Sequence, residues 1–209
     1  MTEPAEAAAR FAARFPVLFH VTDPEALPGI AANGLLSTEA LVALYDVPPE
    51  DRPALLDHNR GRGNFTRLHR EGLPGATLRD QWMPDVPLTQ TLRGAYANDP
   101  IAWRRHINAH VFFWLNKPQA ERLARVNRAR AQTVLAFDTA RLLAAHASHA
   151  FTTPINTGIA QGLYGRPGSP RDEHTFQPVT AYPRPDRRPP KELAIRHGVP
   201  DATAYLIQP

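Results

Sequence analysis

The sequence predicts an α+β fold in one domain that covers residues 1–209. A length of 209 residues is suited to a single well-buried core. Short strand-like runs and short capped helical segments follow one another at irregular spacing, which does not fit a regular βαβ array. The 22 prolines are about twice the usual share of ~5%, so many loops separate short elements. We therefore expect a mixed sheet with flanking helices.

The N-terminal part of the chain begins with a helix and a strand. An alanine-rich stretch over residues 3–15 predicts a helix that Pro16 ends. The β-branched and aromatic residues at 17–22 predict a short strand. Asp23 is a good N-cap for a second helix, which ends at Gly34 because glycine suits the position after a helix, and Ser37 or Thr38 starts another capped helix.

The middle of the chain contains the clearest strand signal. Residues 48–75 are polar, basic and rich in glycine and proline, and we interpret them as a short helix at 51–59 followed by a loop. A brief strand follows at 76–81. The run "HVFFWLN" at 110–116 predicts a buried strand, and residues 117–131 predict an amphipathic helix.

The C-terminal third predicts five more strands, one of them within "HAFTTPINTG" at 149–158. The first covers residues 132–139, and a loop occupies 160–175. "FQPVTAY" at 176–182 and "KELAIRHG" at 191–198 predict two strands, and "ATAYLIQ" at 202–208 closes the chain as the last one.

The composition excludes several functional classes. The chain has no cysteine, which excludes disulfides and thiol catalysis. No HExxH-like spacing indicates a metal, and P-loop, GxGxxG and nucleophile-elbow motifs are missing. No window approaches the roughly 18 apolar residues of a membrane span, and the N-terminus has no apolar region typical of a signal peptide. We expect a cytoplasmic protein with no metal and no membrane partner.

Basic residues cluster in the polar segment. The net charge is +4, and arginine supplies nearly all of the 24 cationic side chains. Guanidinium groups suit phosphate, so Arg60, Arg62 and Arg67 are candidates for binding a pyrophosphate or a nucleic-acid backbone. For any single arginine, a solvated basic surface is the alternative.

Two predicted strands carry candidate binding residues. His20 and Thr22 occupy alternate positions of one strand, so their side chains share a face and can hydrogen-bond one ligand. The alternative is a histidine paired with a loop carbonyl. Phe112 and Trp114 face one side of their strand and Phe113 the other, so one side packs the core and the other can stack on a planar ring. Core packing on both sides is the alternative.

Two polar residues precede or begin a late strand. Glu173 lies just upstream of "TFQPV", and Gln177 lies within it. A carboxylate at such a position can act as a general base or stabilise a developing cation. The alternative is an exposed loop with ordinary charges.

Taken in order, these features resemble the ADP-ribosyltransferase fold of the diphtheria-toxin-like branch. "FHVTDPEALPGIAANGLLS" resembles its opening, where a histidine leads out of the first core strand, and "HVFFWLNKPQAERL" resembles the second core strand with its helix. "TVLAFDTARLL" and "TFQPVTAYPRPDRRPPKELAI" resemble the later strands. RNA 2′-phosphotransferases and DarT-like DNA ADP-ribosyltransferases begin similarly. An uncharacterised bacterial family with "LRDQ", "VFFW", "DT", "NTG" and "TF" in this order is also similar. The resemblance covers about residues 15–200.

The resemblance implies a fold, an activity and partners. The fold is a split mixed sheet of the ADP-ribosyltransferase type with flanking helices. The activity is NAD-dependent ADP-ribosyl transfer, with NAD as substrate, and a DNA or RNA base is one class of acceptor. Such an enzyme acts as a toxin or a defence protein, and no residue indicates an antitoxin. The alternatives are an RNA 2′-phosphotransferase-like enzyme and a non-catalytic module that binds a nucleotide or nucleic acid.

The resemblance also implies roles for the candidate residues. His20 would bind the nicotinamide ribose with Thr22 nearby, and the aromatic residues at 112–114 would line the nicotinamide pocket. Arg60 would assist catalysis, and Arg62 and Arg67 would contact the NAD phosphates. The resemblance further expects a glutamate at the start of a late strand. At that position this sequence has Thr175 to Gln177 and no glutamate. Either Glu173 acts from the loop, or Gln177 substitutes for the glutamate, or the chemistry is altered or lost.

Overall fold

The computed structural model describes residues 2–126, 130–162 and 168–207. The helix predicted at 117–131 and the loop predicted at 160–175 lie partly outside these residues. Within the described residues the helices are α1 Glu3–Arg14, α2 Leu27–Asn33, α3 Thr38–Leu44, α4 Arg52–Leu56, α5 Asp85–Thr89, α6 Pro100–Asn108, α7 Lys117–Val126 and α8 Thr139–His146.

One six-stranded sheet forms the centre of the molecule. The strands are β1 Val17–Thr22, β2 Leu35–Leu36, β3 Thr66–Leu68, β4 Ala76–Leu78, β5 His110–Trp114, β6 Thr133–Asp138, β7 Ala150–Thr153, β8 Gln177–Pro178, β9 Glu192–Arg196 and β10 Gly198–Val199. The sheet has the order β6-β1-β5-β9-β7-β8, and β2 with β10 and β3 with β4 form two small ribbons. The predicted α+β class with flanking helices is confirmed.

The direction of the strands differs from the expected mixture. Every pairing between the six strands is antiparallel. Only the order is mixed, because strands far apart in the chain, such as β5 and β9, lie side by side. The connection from β5 to β6 crosses β1 and contains α7, because β5 and β6 are both antiparallel to β1 and hence parallel to each other.

The sheet opens between β1 and β5. These strands share one backbone pair, Phe19 with Trp114, whereas β1 pairs with β6 along its whole length. Beyond that pair the ring of His20 spans the gap, with Nδ1 at 2.9 Å from the carbonyl oxygen of Phe112. A side-chain contact therefore replaces the missing backbone ladder, and a cleft opens between the two strands.

The two faces of the sheet pack against different helices. Leu193 and Ile195 face a core that α1 and α8 cover, and the intervening Ala194 faces the side of α6. Both cores follow from the period-two alternation of a strand buried on both faces. A third cluster packs α3 against the β3–β4 ribbon. Each fully buried large apolar side chain contributes about 1.5–3 kcal/mol to the stability of the fold.

The predicted caps hold the segment after β1. The carboxylate of Asp23 accepts a hydrogen bond from the backbone N–H of Glu25 at 3.0 Å, and the hydroxyl of Ser37 accepts one from Ala40 at 3.1 Å. Gly34 ends α2 with φ of 82°, and a Cβ there would lie 2.4 Å from the backbone of Pro200. Glycine is therefore required by both conformation and space.

Two predicted strands are wrong in extent or type. The strand predicted at 176–182 is only β8 followed by a 3-10 turn, because Pro178 has no N–H to continue the ladder. The strand predicted at 202–208 is a 3-10 turn over Ala202–Tyr205, which the hydroxyl of Tyr205 closes by donating to Asp201. Within the described ranges, no helix is both long enough and apolar enough to cross a membrane.

Candidate active site

A cavity of about 600 Å³ lies at the opening between β1 and β5. This volume lies within the range of small-molecule sites. The structure brings six of the predicted residues to its lining: His20, Thr22, Arg60, Arg62, Phe112 and Trp114. The other four predicted residues lie outside this lining: Arg67, Phe113, Glu173 and Gln177.

His20 is held as a neutral ring with a defined tautomer. Burial lowers its pKa to about 4, the hydrogen bond to Phe112 opposes this shift, and the charge of Arg79 adds to it. A carbonyl oxygen only accepts, so the proton must be on Nδ1, which donates to Phe112. Nε2 is then an acceptor that can take a hydrogen bond from a ligand hydroxyl.

The aromatic strand divides its rings as the alternation predicts. Phe113 is completely buried and packs against Phe137, with ring centroids 5.3 Å apart, so it belongs to the core. Phe112 and Trp114 point to the other face, are half-buried and line the cavity. The flat wall of the site thus consists of two rings.

Glu192, which the sequence analysis did not select, lines the same cavity. It is the first residue of β9 and pairs with Trp114 on β5 and Thr153 on β7. Its Oε2 accepts hydrogen bonds from the N–H of Thr157 at 3.1 Å and from the Thr157 hydroxyl at 2.9 Å. The side chain is otherwise enclosed, with only 4% of its surface exposed.

Burial raises the pKa of Glu192 to about 7. The hydrogen bonds from Thr157 and Thr153 and the charge of Arg171 oppose this rise, because they favour the ionised form. Near neutral pH the carboxyl is therefore present in both protonation states. The hydrogen bonds from described residues all reach Oε2, so Oε1 is the atom available to a ligand.

The signal for Glu192 was present in the sequence. The resemblance expects a glutamate at the start of a late strand, and "KELAI" places one at the start of a predicted strand. The resemblance instead aligns the expected glutamate position with the preceding predicted strand, "TFQPV". Two strands of the sheet, β7 and β9, separate β8 from β5, and Gln177 of β8 lies outside the cavity lining.

The two polar residues chosen near β8 have other partners. Glu173 is exposed, and its carboxylate accepts a hydrogen bond from the N–H of Ala95 at 3.0 Å, which lowers its pKa. Gln177 is half-buried, and its Nε2 donates to the carbonyl of His174 at 3.1 Å.

Arg60 lines the cavity but is committed to backbone carbonyls. Its Nε donates to the carbonyl of Arg79 at 3.0 Å and its Nη1 to that of Leu55 at 2.6 Å. Burial lowers its pKa to about 10, so the group is still cationic at neutral pH. Arg60 therefore connects the chain at Leu55 to the chain at Arg79 beside the cavity.

The other two predicted arginines differ in position. Arg62 is exposed and lies over the ring of Trp82 at 5.4 Å, and both residues line the cavity. Arg67 forms an ion pair with Glu25 at 2.6 Å and donates to the hydroxyl of Thr77 at 3.0 Å. Arg62 is therefore the cation better placed to meet a ligand.

The fold and the cavity define an α+β protein with a ligand-sized site in a split antiparallel sheet. In the described ranges, no three His, Asp or Glu side chains lie together as a metal site requires. Residues 16–206 match the model of a "Family of unknown function (DUF7002)", and the chain belongs to this family. Neither the curated proteins nor the solved structures contain a match to the chain.

Proposed function

We propose that this protein binds NAD in the cavity, cleaves the bond between nicotinamide and ribose, and transfers ADP-ribose to an acceptor. The observation that carries the proposal is Glu192, a buried carboxyl with a raised pKa on the wall of the cavity. It stands at the start of a late strand, where the resemblance to ADP-ribosyltransferases expects a glutamate. Perturbed carboxyls in clefts are typical of functional sites.

The chemistry of the reaction fits the groups present. The C1′–N bond breaks with its electron pair on the nicotinamide nitrogen, so nicotinamide leaves neutral and the ribose becomes positive. The ionised carboxyl of Glu192 stabilises that charge inside an enclosed site, where electrostatic interactions are strong. The acceptor then bonds to C1′ and gives up its proton.

The remaining groups position the substrate. Nε2 of His20 accepts a hydrogen bond from a ribose hydroxyl, and Phe112 and Trp114 offer flat faces to the nicotinamide ring. His20 and Glu192 lie on strands separated by β5 alone. The pairs Glu192–Trp114 and Trp114–Phe19 place Glu192 and His20 on opposite faces of the sheet, and both residues line the cavity.

The arginine geometry favours ADP-ribosyl transfer over the phosphotransferase alternative. A phosphotransferase-like site needs several guanidinium groups that are presented to phosphate. Of the three predicted arginines only Arg62 is exposed in the cavity lining, whereas Arg60 donates to the carbonyls of Leu55 and Arg79, and Arg67 is paired with Glu25. The carboxyl of Glu192 supplies what glycosidic cleavage requires.

Nicotinamide release tests the proposal. The protein is incubated with NAD and, separately, single-stranded DNA, RNA or protein, while released nicotinamide and the mass of any adduct are measured. We expect Glu192→Gln to abolish release and to retain NAD binding by calorimetry. The matched control, Glu173→Gln, should keep full activity, since its carboxyl lies outside the cavity.

The outcomes separate the alternatives. Lack of NAD binding by the wild-type protein refutes the proposal. NAD binding without release under any condition indicates the non-catalytic module. Loss of release in Glu173→Gln with normal activity in Glu192→Gln returns the role to the loop. Release should also increase as pH rises through about 7, because only the ionised carboxyl of Glu192 stabilises the ribose cation.

A further inference from the structure

Gln81 places an unpartnered acceptor in the cavity wall. The residue follows β4, bridges to Gly61 through its backbone and lines the cavity with only 9% of its surface exposed. Its Nε2 donates to Oδ1 of Asn108 at 3.0 Å. Its Oε1 is buried and has no hydrogen-bond partner among the described residues.

The orientation of this amide is set by its neighbours. Asn108, at the end of α6, donates from Nδ2 to the carbonyl of Leu56 at 2.9 Å, and a carbonyl only accepts. Its Oδ1 accepts from Nη1 of Arg60 at 3.3 Å, and a guanidinium only donates. The amide NH₂ group of Gln81 must therefore point to Asn108, which leaves Oε1 of Gln81 without a partner among the described residues. The predicted role of Arg60 changes accordingly, from contact with phosphate to positioning of this pair.

A second unpartnered group of opposite polarity lines the same cavity. Nδ2 of Asn33, the last residue of α2, is a buried donor without a partner among the described residues. Buried polar groups in proteins are nearly always paired, and an orphan in a ligand cavity indicates a group that the ligand supplies. A planar nitrogen heterocycle with an amino group has an N–H that can donate to Oε1 of Gln81 and a ring nitrogen that can accept from Nδ2 of Asn33.

We infer that Gln81 forms a recognition subsite for the N–H donor of a planar nitrogen heterocycle, distinct from the site of bond cleavage. For NAD as the ligand, the inference rests on the proposed function. Asn108 precedes the first residue of β5, whereas Glu192 pairs with the last, Trp114. At ~3.3 Å per residue, β5 separates the two ends by roughly 13 Å. The subsite therefore receives the adenine amino group, and the nicotinamide lies near Glu192.

Matched pairs of small ligands test the subsite without any need for catalysis. Adenosine and purine riboside differ by the amino group, and nicotinamide and 3-acetylpyridine differ by NH₂ against CH₃. We expect the wild-type protein to bind adenosine roughly three- to tenfold more tightly than purine riboside in NMR titrations. It should bind nicotinamide and 3-acetylpyridine alike. Gln81→Leu should abolish the adenosine preference, whereas Gln119→Leu, at an exposed position on α7, should keep it.

Each result decides the inference. A nicotinamide preference that Gln81→Leu removes would place the nicotinamide at Gln81 and overturn the inference. Equal affinities within both pairs, or no binding of any of the four compounds, overturn it. Should Gln81→Leu fail to fold, the wild-type comparison still decides. If Gln81→Leu loses the adenosine preference and the wild-type protein does not cleave NAD, only the proposed function is refuted. If the wild-type protein cleaves NAD but shows no preference within either pair, only the subsite is refuted.

Discussion

Replacement of Glu192 by glutamine changes how the stability of the protein depends on pH. The carboxyl is buried, and its pKa is raised from 4.5 to about 7. The folded protein therefore holds a proton at pH values where the unfolded chain has released it. Stability contributed by the protonated carboxyl is fully present below pH 4.5 and is lost as pH rises through about 7.

The size of the effect follows from these two pKa values. Each pH unit between them corresponds to about 1.4 kcal/mol, so ionisation of Glu192 costs about 3 kcal/mol at pH 8. Glutamine keeps an oxygen that can accept from Thr157 and carries no charge. We expect Glu192→Gln to be more stable than the wild type at pH 8 by up to that amount.

Urea denaturation at several pH values measures the difference. The free energy of unfolding of the variant minus that of the wild type should be small near pH 4.5, should grow until about pH 7 and should change little above it. A difference that is constant across this range would show that Glu192 titrates normally, and the raised pKa on which the proposed site depends would be refuted. Other titrating groups cancel in the comparison.

Two further predictions concern the core and the histidines. Phe113→Ala removes a completely buried ring and should lower the free energy of unfolding in urea by about 3–5 kcal/mol; a loss below ~1 kcal/mol would place this ring outside the core. Burial lowers the pKa of His20, His106 and His110 from 6.5 to about 4, so the unfolded chain binds more protons between these values. In Glu192→Gln, which lacks the opposing titration of the buried carboxyl, stability should fall as pH drops from 6.5 to 4, and equal unfolding free energies of this variant at pH 6.5 and 4.5 would contradict this.

Elements with strong local signals were predicted correctly. The strands expected at 17–22 and 110–116 are β1 and β5, and Asp23 and Ser37 form the expected caps. These signals depend on residues a few positions apart. The last predicted strand, at 202–208, is a 3-10 turn over Ala202–Tyr205 in which the hydroxyl of Tyr205 donates to Asp201, and Leu206 forms a single backbone bridge to Phe137 of β6.

The site was predicted in part. His20, Phe112 and Trp114 line one cavity, and their binding roles stay predictions. Arg60 reaches the cavity, but the carbonyls around it engage its guanidinium. Hydrogen bonds of an arginine to distant carbonyls depend on the folded loop, so the sequence identified a cation without its partners.

The sequence by itself determined which side chains share a face of a strand, because that alternation is a local property of extended backbone. It also contained the glutamate at the start of β9. Only the tertiary structure decided which glutamate reaches the cavity. Pairing of β9 with β5 and β7 places Glu192 beside Trp114 and under Thr157, whereas Glu173 is held by Ala95. These partners lie 35 to 78 residues apart in the chain, so tertiary contacts that include the long-range pairing of β9 with β5 bring them together.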